Sequence, residues 1–211
     1  MTSFARTVMS QLPEPTGTGR SNNFRRLREF DSNIDKYNVK LDARVSTALN
    51  LFGRYGYRDS DVLDEPVLPL PVGGDSNGDL YTTNKQIALG ATWTQSPTRL
   101  LEARFGWSST RGGKDPLNLG SPGALEAYGL PGLPTDPRVA GGLPTQLITG
   151  YTTLGRQATN PQWQYPEVWN PKINYSWVLG RQSLKFGYEF QHIATEVQDV
   201  NPLYGRDAYA G

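Results

Sequence analysis

The feature that most constrains this chain is an alternation with a period of two that switches on in three separate places. Val39, Leu41, Ala43 and Val45 alternate with Asn38, Lys40, Asp42 and Arg44. After a turn at Ser46-Thr47-Ala48, Leu49, Leu51, Gly53, Tyr55 and Tyr57 alternate with Asn50, Phe52, Arg54, Gly56 and Arg58. The second pair sets Ile87, Leu89, Ala91 and Trp93 against Gln86, Ala88, Gly90 and Thr92. It turns at Gln95-Ser96-Pro97-Thr98 and continues with Leu101, Ala103, Phe105 and Trp107 against Glu102, Arg104, Gly106 and Ser108. The third sets Ile173, Tyr175 and Trp177 against Lys172, Asn174 and Ser176. It turns at Leu179-Gly180-Arg181-Gln182 and resumes with Leu184, Phe186, Tyr188 and Phe190 against Lys185, Gly187, Glu189 and Gln191. Side chains of a strand alternate between its two faces, so each pair is a hairpin with one apolar and one charged face.

The connections are unequal. Expected strands run over about 35–45, 48–59, 84–95, 99–110, 169–179 and 182–196, with long loops over about 60–83 and 111–168. Residues 1–34 read as the end of another long loop. Loops beyond about 12–15 residues are uncommon in compact soluble domains. Long strands, short turns at one end and long loops at the other characterise outer-membrane barrels, where the long loops are extracellular. Aromatics near the strand ends (Tyr55, Tyr57, Trp93, Trp107, Trp177) suit the girdles of such a barrel. The competing reading is a soluble antiparallel β-protein whose apolar face packs on a second sheet.

Composition narrows the classes further. Of 211 residues, 23 are Gly and 16 Pro, so turns and loops abound. There is no Cys, which removes disulfides, thiolate metal sites and thiol nucleophiles. The net charge is +1 with no basic block, which argues against nucleic acid as a partner. No run of apolar residues is long enough for a membrane-crossing helix, and strands cross with only about 9–11 residues. The segment MTSFARTVMSQLPEPTG lacks the apolar stretch of a secretory signal.

Four stretches together resemble one family. NNF with DSNIDKYNVKLDARVSTALNLFGRYGYRDSD (22–61), NKQIALGATWTQSPTRLLEARFGWSSTRGGKDP (84–116) and GLPTDPRVAGGLPTQLITGYTTLGRQATNPQWQYPEVWNPKINYSWVLGRQSLKFGYEFQ (132–191) resemble the barrel of Oar-like TonB-dependent receptors. FARTVMSQLPEP (4–15) resembles the end of a long extracellular loop that precedes such a strand pair. The resemblance implies an all-β, antiparallel meander of about six long strands, forming an open segment of an outer-membrane β-barrel of about 22 strands with a plugged lumen. It implies a receptor that binds and imports a bulky, scarce substrate. Its partners would be outer-membrane lipid, an unidentified transported ligand and, through a longer parent protein, a plug domain and the TonB complex. The chain itself shows no plug or recognisable TonB box and reads as an internal piece of that parent. An adhesion or surface-binding barrel, and a soluble carbohydrate-binding β-domain, are the alternative functions.

Candidate sites are few. Lys40, Asp42, Arg44, Arg54, Glu102, Arg104, Lys172, Lys185 and Glu189 share the polar faces and are expected to face a lumen. Trp163, Tyr165 and Trp169 sit in a Pro-rich stretch, where exposed loop aromatics could stack on a sugar ring or anchor the loop over the barrel rim. Asp75, Asn77 and Asp79 place oxygens at alternate positions as a calcium loop does, but the twelfth position is Gln86 rather than Glu; a turn explains them without an ion. Asp59, Asp61, Asp64 and Glu65 form an acidic cluster at the base of the first long loop. His192 stands alone. No nucleophile triad, phosphate loop or nucleotide fingerprint is present, so neither catalysis nor a cofactor is expected.

Overall fold

A computed structural model describes residues 1–210. In chain order its elements are α1 (Ser3–Ser10), β1 (Phe30–Arg44), β2 (Leu49–Asp64), β3 (Gly78–Ser96), β4 (Arg99–Asp115), α2 (Ala124–Tyr128), β5 (Thr145–Ile148), β6 (Gln162–Leu179), β7 (Gln182–Glu189), β8 (His192–Gln198) and β9 (Arg206–Tyr209). The three alternating pairs become antiparallel hairpins and join into one sheet, β1-β2-β3-β4-β6-β7, with β8 also paired to β6. β1 and the β7–β8 side are its two free edges.

The turns are built from their own residues. The Ser46 hydroxyl accepts the Ala48 and Leu49 N–H groups at 3.1 Å each. Gly180 takes a φ of 61° at the first central position of the last hairpin, a conformation that costs glycine nothing and that a type II′ turn requires.

Two expectations are corrected. The strands are longer than the alternation indicated, so the long connections shrink to 65–77 and 116–161. Above the alternating stretch both faces are polar, so the ladder continues without a periodic trace in the sequence. The expected strand 182–196 is two strands, β7 and β8, which makes seven strands in the sheet rather than six. The register on β6 runs unshifted across the break: Lys172 faces Glu189 and Trp169 faces His192. The interruption lies opposite Pro171. Phe190 N–H still donates to Pro171 O at 3.0 Å, but proline has no N–H to return. The Asn170 side-chain amide donates to Phe190 O at 3.1 Å in its place.

Register fixes which residues share a face. One row runs Leu41, Gly53, Leu89, Phe105, Pro171; the row beside it runs Ala43, Leu51, Ala91, Ala103, Ile173, Tyr188. Phe52 stands with the charged residues, and the alternating apolar sets of the three hairpins therefore lie together on the other side. That side is bare: Leu41 is 72% exposed, Leu89 48% and Phe186 57%. Among the described residues no second sheet lies over it, because the other one, the parallel pair β5–β9, belongs to the loops.

The buried core lies in the loops instead. Val8, Leu68, Val72, Tyr128, Leu143 and Leu154 form one cluster, and Ala124, Ala140 and Tyr204 another. These residues come from α1, the 65–77 and 116–161 connections and the segment after β8. Together they make a packed cap at the long-loop end of the sheet. Thr2 caps α1 by accepting the Ala5 N–H at 3.1 Å, and Phe4 of α1 meets Tyr128 of α2 edge-on at 6.2 Å.

Candidate functional site

Three regions carry the chemistry this chain could use: the polar face of the sheet, the aromatic rim, and the cap.

The polar face holds all nine charged positions singled out in the sequence. Asp42, Phe52, Gly90, Arg104, Lys172 and Glu189 form one continuous cross-strand row, and Arg44, Asn50, Thr92, Glu102 and Asn174 the next. Three ion pairs form on it: Lys40–Asp42 at 2.8 Å, Arg104–Glu102 at 3.5 Å and Lys172–Glu189 at 2.9 Å. Asn170 adds a hydrogen bond to Glu189 at 3.2 Å. Such exposed pairs each contribute little to stability, so their role is to set the charge of the surface. Among the described residues Arg44, Arg54 and Lys185 have no carboxylate within 4.0 Å; Arg54 donates instead to Asn38 Oδ1 at 3.2 Å. Gly90 leaves space here for a neighbouring ring. A Cβ on it would lie 2.0 Å from the Phe52 ring, which uses that space, and the Arg104 guanidinium sits 5.9 Å above the same ring.

The aromatics Trp163, Tyr165 and Trp169 are not on a loop. They lie within β6, on the face shared with the apolar rows, and this corrects the expected placement. Trp169 packs against Phe105 at 5.8 Å and Trp107 at 6.2 Å. The Trp107 indole N–H donates to Glu167 at 2.7 Å. The Tyr165 and Tyr81 hydroxyls meet at 3.3 Å, and the Arg111 guanidinium lies 5.3 Å over the Tyr165 ring. Tyr37 and Tyr57 stack at 6.1 Å. Rings with an apolar body on the sheet and, at Trp107, Tyr81 and Tyr165, a hydrogen-bonded polar tip form a rim. Trp93 and Trp177 stand at the short-turn end of the same face. From Trp169 to Trp177 β6 rises about 26 Å at roughly 3.3 Å per residue. At a tilt of about 40° that is about 20 Å, close to the ~25 Å apolar band of a membrane barrel. His192 faces Trp169 at the start of β8 and is exposed.

Asp64 of the acidic cluster and Asn77 of the Asp75–Asp79 turn form one clasp at the base of the cap. Asp64 Oδ2 accepts both the backbone N–H (2.9 Å) and the side-chain amide (3.0 Å) of Asn77. Lys114 Nζ donates to Asn77 Oδ1 at 3.3 Å, and Asn77 O accepts the Asn160 amide at 3.0 Å. Asn77 is thus committed to closing the first loop, with an ammonium on the oxygen a cation would need. Asp75 and Asp79 flank this knot, and no group of three acidic or His residues is gathered to hold a metal among the described residues. Glu65 binds Arg26 at 2.6 Å and the Glu29 N–H at 3.2 Å, holding the approach to β1. Asp59 accepts the Thr83 hydroxyl at 2.6 Å, and Asp61 is left exposed.

The cap turns on a residue the sequence did not mark. Arg156 is 5% exposed, stacks on the Tyr204 ring at 4.3 Å, and donates to Gly141 O at 3.0 Å and Asn160 O at 2.5 Å. Burial opposes its charge and pulls its pKa down to about 10, still well above neutrality. Tyr204, 1% exposed, accepts the Ala124 N–H at the start of α2. One side chain thereby ties the second long loop to the segment after β8. At the cap surface, hydrogen bonds from the Arg138 side chain and backbone hold the Asp136 carboxyl down to about 2.

The arrangement is that of a membrane wall. A bare apolar face is bounded by aromatic rims, the opposite face is charged, and a folded cap sits at one end. A family model described as an outer membrane beta barrel domain matches residues 1–211. Searches of curated proteins and of solved structures gave no match. The geometry and the match agree, and the chain belongs to the outer membrane beta barrel domain family, with the cell outer membrane as its place.

Proposed function

We propose that the sheet is wall, and the cap extracellular loop, of a TonB-dependent transporter that binds a bulky, scarce substrate and imports it. The observation that carries this reading is the sheet itself: two unpaired edges, one bare apolar face and one charged face. Unpaired backbone groups cannot stay in lipid, so further strands must meet β1 and β7–β8. Closing around a charged inner surface that holds a plug takes a wide barrel, of about 22 strands. The polar face then lines the lumen, and the cap forms part of the entrance where substrate is first held. Binding at the loops followed by a plug movement driven from the inner membrane completes the mechanism. The sequence resemblance to Oar-like receptors supports the same reading.

The test is uptake by intact cells that carry the full-length protein. Depletion of oligosaccharides, peptides and metal chelates from the medium is followed with and without a functional TonB, and with a protonophore. Substrate accumulation that requires both TonB and the proton gradient is the expected result. Surface binding that persists unchanged without TonB, with no accumulation, would establish the adhesion reading instead.

A further inference from the structure

The cations of the polar face are not evenly matched. On β4, β6 and β7, Arg104 and Lys172 each have a carboxylate partner, and Lys185 stands alone without one among the described residues. On the β1–β2 hairpin, Lys36 lies directly opposite Arg58 and Lys40 directly opposite Arg54, with Arg44 further along the same face. Asp42 is the single acid among them and is taken by Lys40 at 2.8 Å. Like charges directly opposite on a sheet face destabilise it. Two such pairs, separated only by the Asn38–Gly56 row, form a ladder of positive charge. Among the described residues Lys36, Arg44, Arg54 and Arg58 have no carboxylate within 4.0 Å.

The ladder borders a recess. A cleft of about 370 Å³ opens on the same face, floored by Gly56 and Gly106 and walled by Arg54, Gln86 and Gln191. Between the two cation pairs Gly56 carries no side chain, and the amide side chains of Asn38 and Gln86 reach toward that position; Asn38 Oδ1 accepts from Arg54. The Arg54 guanidinium and the amides of Gln86, Asn170 and Gln191 line a small-residue floor, with Arg58 one row beyond it; a guanidinium fork beside amides suits an oxyanion, which it can bind through two N–H groups.

We propose that this recess binds the carboxylate or phosphate groups of an anionic solute passing along the wall. The inference deepens the transporter reading by naming a substrate class, and it rests on that reading for the direction of passage only. The bound anion offsets the repulsion within Lys36–Arg58 and Lys40–Arg54.

The test is calorimetric titration of the full-length protein in detergent with inorganic phosphate and with citrate, at low and at about 0.5 M salt. Binding that weakens in high salt is expected. The double variant Arg54→Gln with Arg58→Gln should bind at least about tenfold more weakly, the loss expected when charge-assisted contacts go. It should also melt at a higher temperature, because the repulsion is relieved. Arg54→Lys with Arg58→Lys keeps the charge but not the two-pronged fork, so it should bind more weakly than the native protein and more tightly than the glutamine variant, and retained heat-dependent gel mobility reports that each variant is folded. Absence of binding by the native protein, or undiminished affinity in the glutamine variant, would overturn the proposal. So would a lower melting temperature of that variant, since it would mean that acidic side chains elsewhere in the protein answer the ladder. Uptake that needs TonB without anion binding would sink this inference and leave the transporter standing; anion binding without such uptake would do the reverse.

Discussion

Leu89 and Leu143 are the same side chain in opposite surroundings. Leu89 stands on the sheet, 48% exposed, in a row with Leu41 and Phe105 and nothing of the protein over it. Leu143 is wholly buried in the cap, among Val72, Leu154 and Tyr128. The cap is held as a water-soluble domain is held, by side chains withdrawn from solvent and packed on one another. The sheet is held by its hydrogen-bond ladder, and its apolar rows are complementary to lipid rather than to protein. One chain therefore uses two solvents, and the aromatic rim of Tyr37, Tyr57, Trp107 and Trp169 marks where one gives way to the other.

The comparison can be broken most sharply by cutting the same side chain in both places. Leu143→Ala opens a cavity that the cap cannot close, at a cost of about 3–4 kcal/mol. Native-state proteolysis of the full chain should then cut within 116–161 roughly a hundredfold faster or more. The sheet should keep its resistance to heat in gel electrophoresis. Loss of that resistance together with cap cleavage would mean that cap and sheet are one cooperative unit.

The second test works on the sheet. Leu89→Arg puts a cation near mid-depth on the lipid side and should lower stability by about 2–4 kcal/mol in denaturant titrations in bilayers. The same change at Leu125, exposed on α2, should be close to neutral. An equally small effect at Leu89 would deny that this face meets lipid.

How far the sequence revealed this division follows from the same two solvents. Alternation was visible at 37–58, 86–107 and 172–190 because there one face meets lipid and the other does not. Above the rim, residues such as Asp59, Asp61, Thr82 and Thr83 are polar on both faces, so the upper thirds of β2, β3 and β4 left no period to read. For that reason the sequence alone places Trp163 and Tyr165 on a loop. The split between β7 and β8 was written in Pro171, but only the structure shows Asn170 supplying the missing donor. The nine charged positions of the polar face could be named because a period of two sorts faces without knowledge of contacts. The cap could not be read at all. Its buried residues, Val72, Leu143, Leu154 and Tyr204, are scattered through Gly- and Pro-rich sequence without a repeat. Arg156 looks like any loop arginine until Tyr204 is placed beneath it.

The smallest expected effect concerns how much of the cap depends on charge. Asp136 and Arg138 sit on its surface, and the carboxyl is held at about 2 by Arg138. A carboxyl whose folded pKa lies below its unfolded value stabilises the fold above that unfolded value, and the contribution is lost as pH falls. The window here runs from the ordinary carboxylate range near 3.8 down to about 2. Pepsin, active throughout that window, should cut near 136–138 faster at its lower end than at its upper end. Asp136→Asn should be cut at one rate across it. Since the pair lies at the surface, solvent screens it, and the Arg156–Tyr204 contact beneath should not respond. Cleavage spreading to the 141–156 segment over the same window would show that the surface pair, and not the buried guanidinium, holds the cap closed.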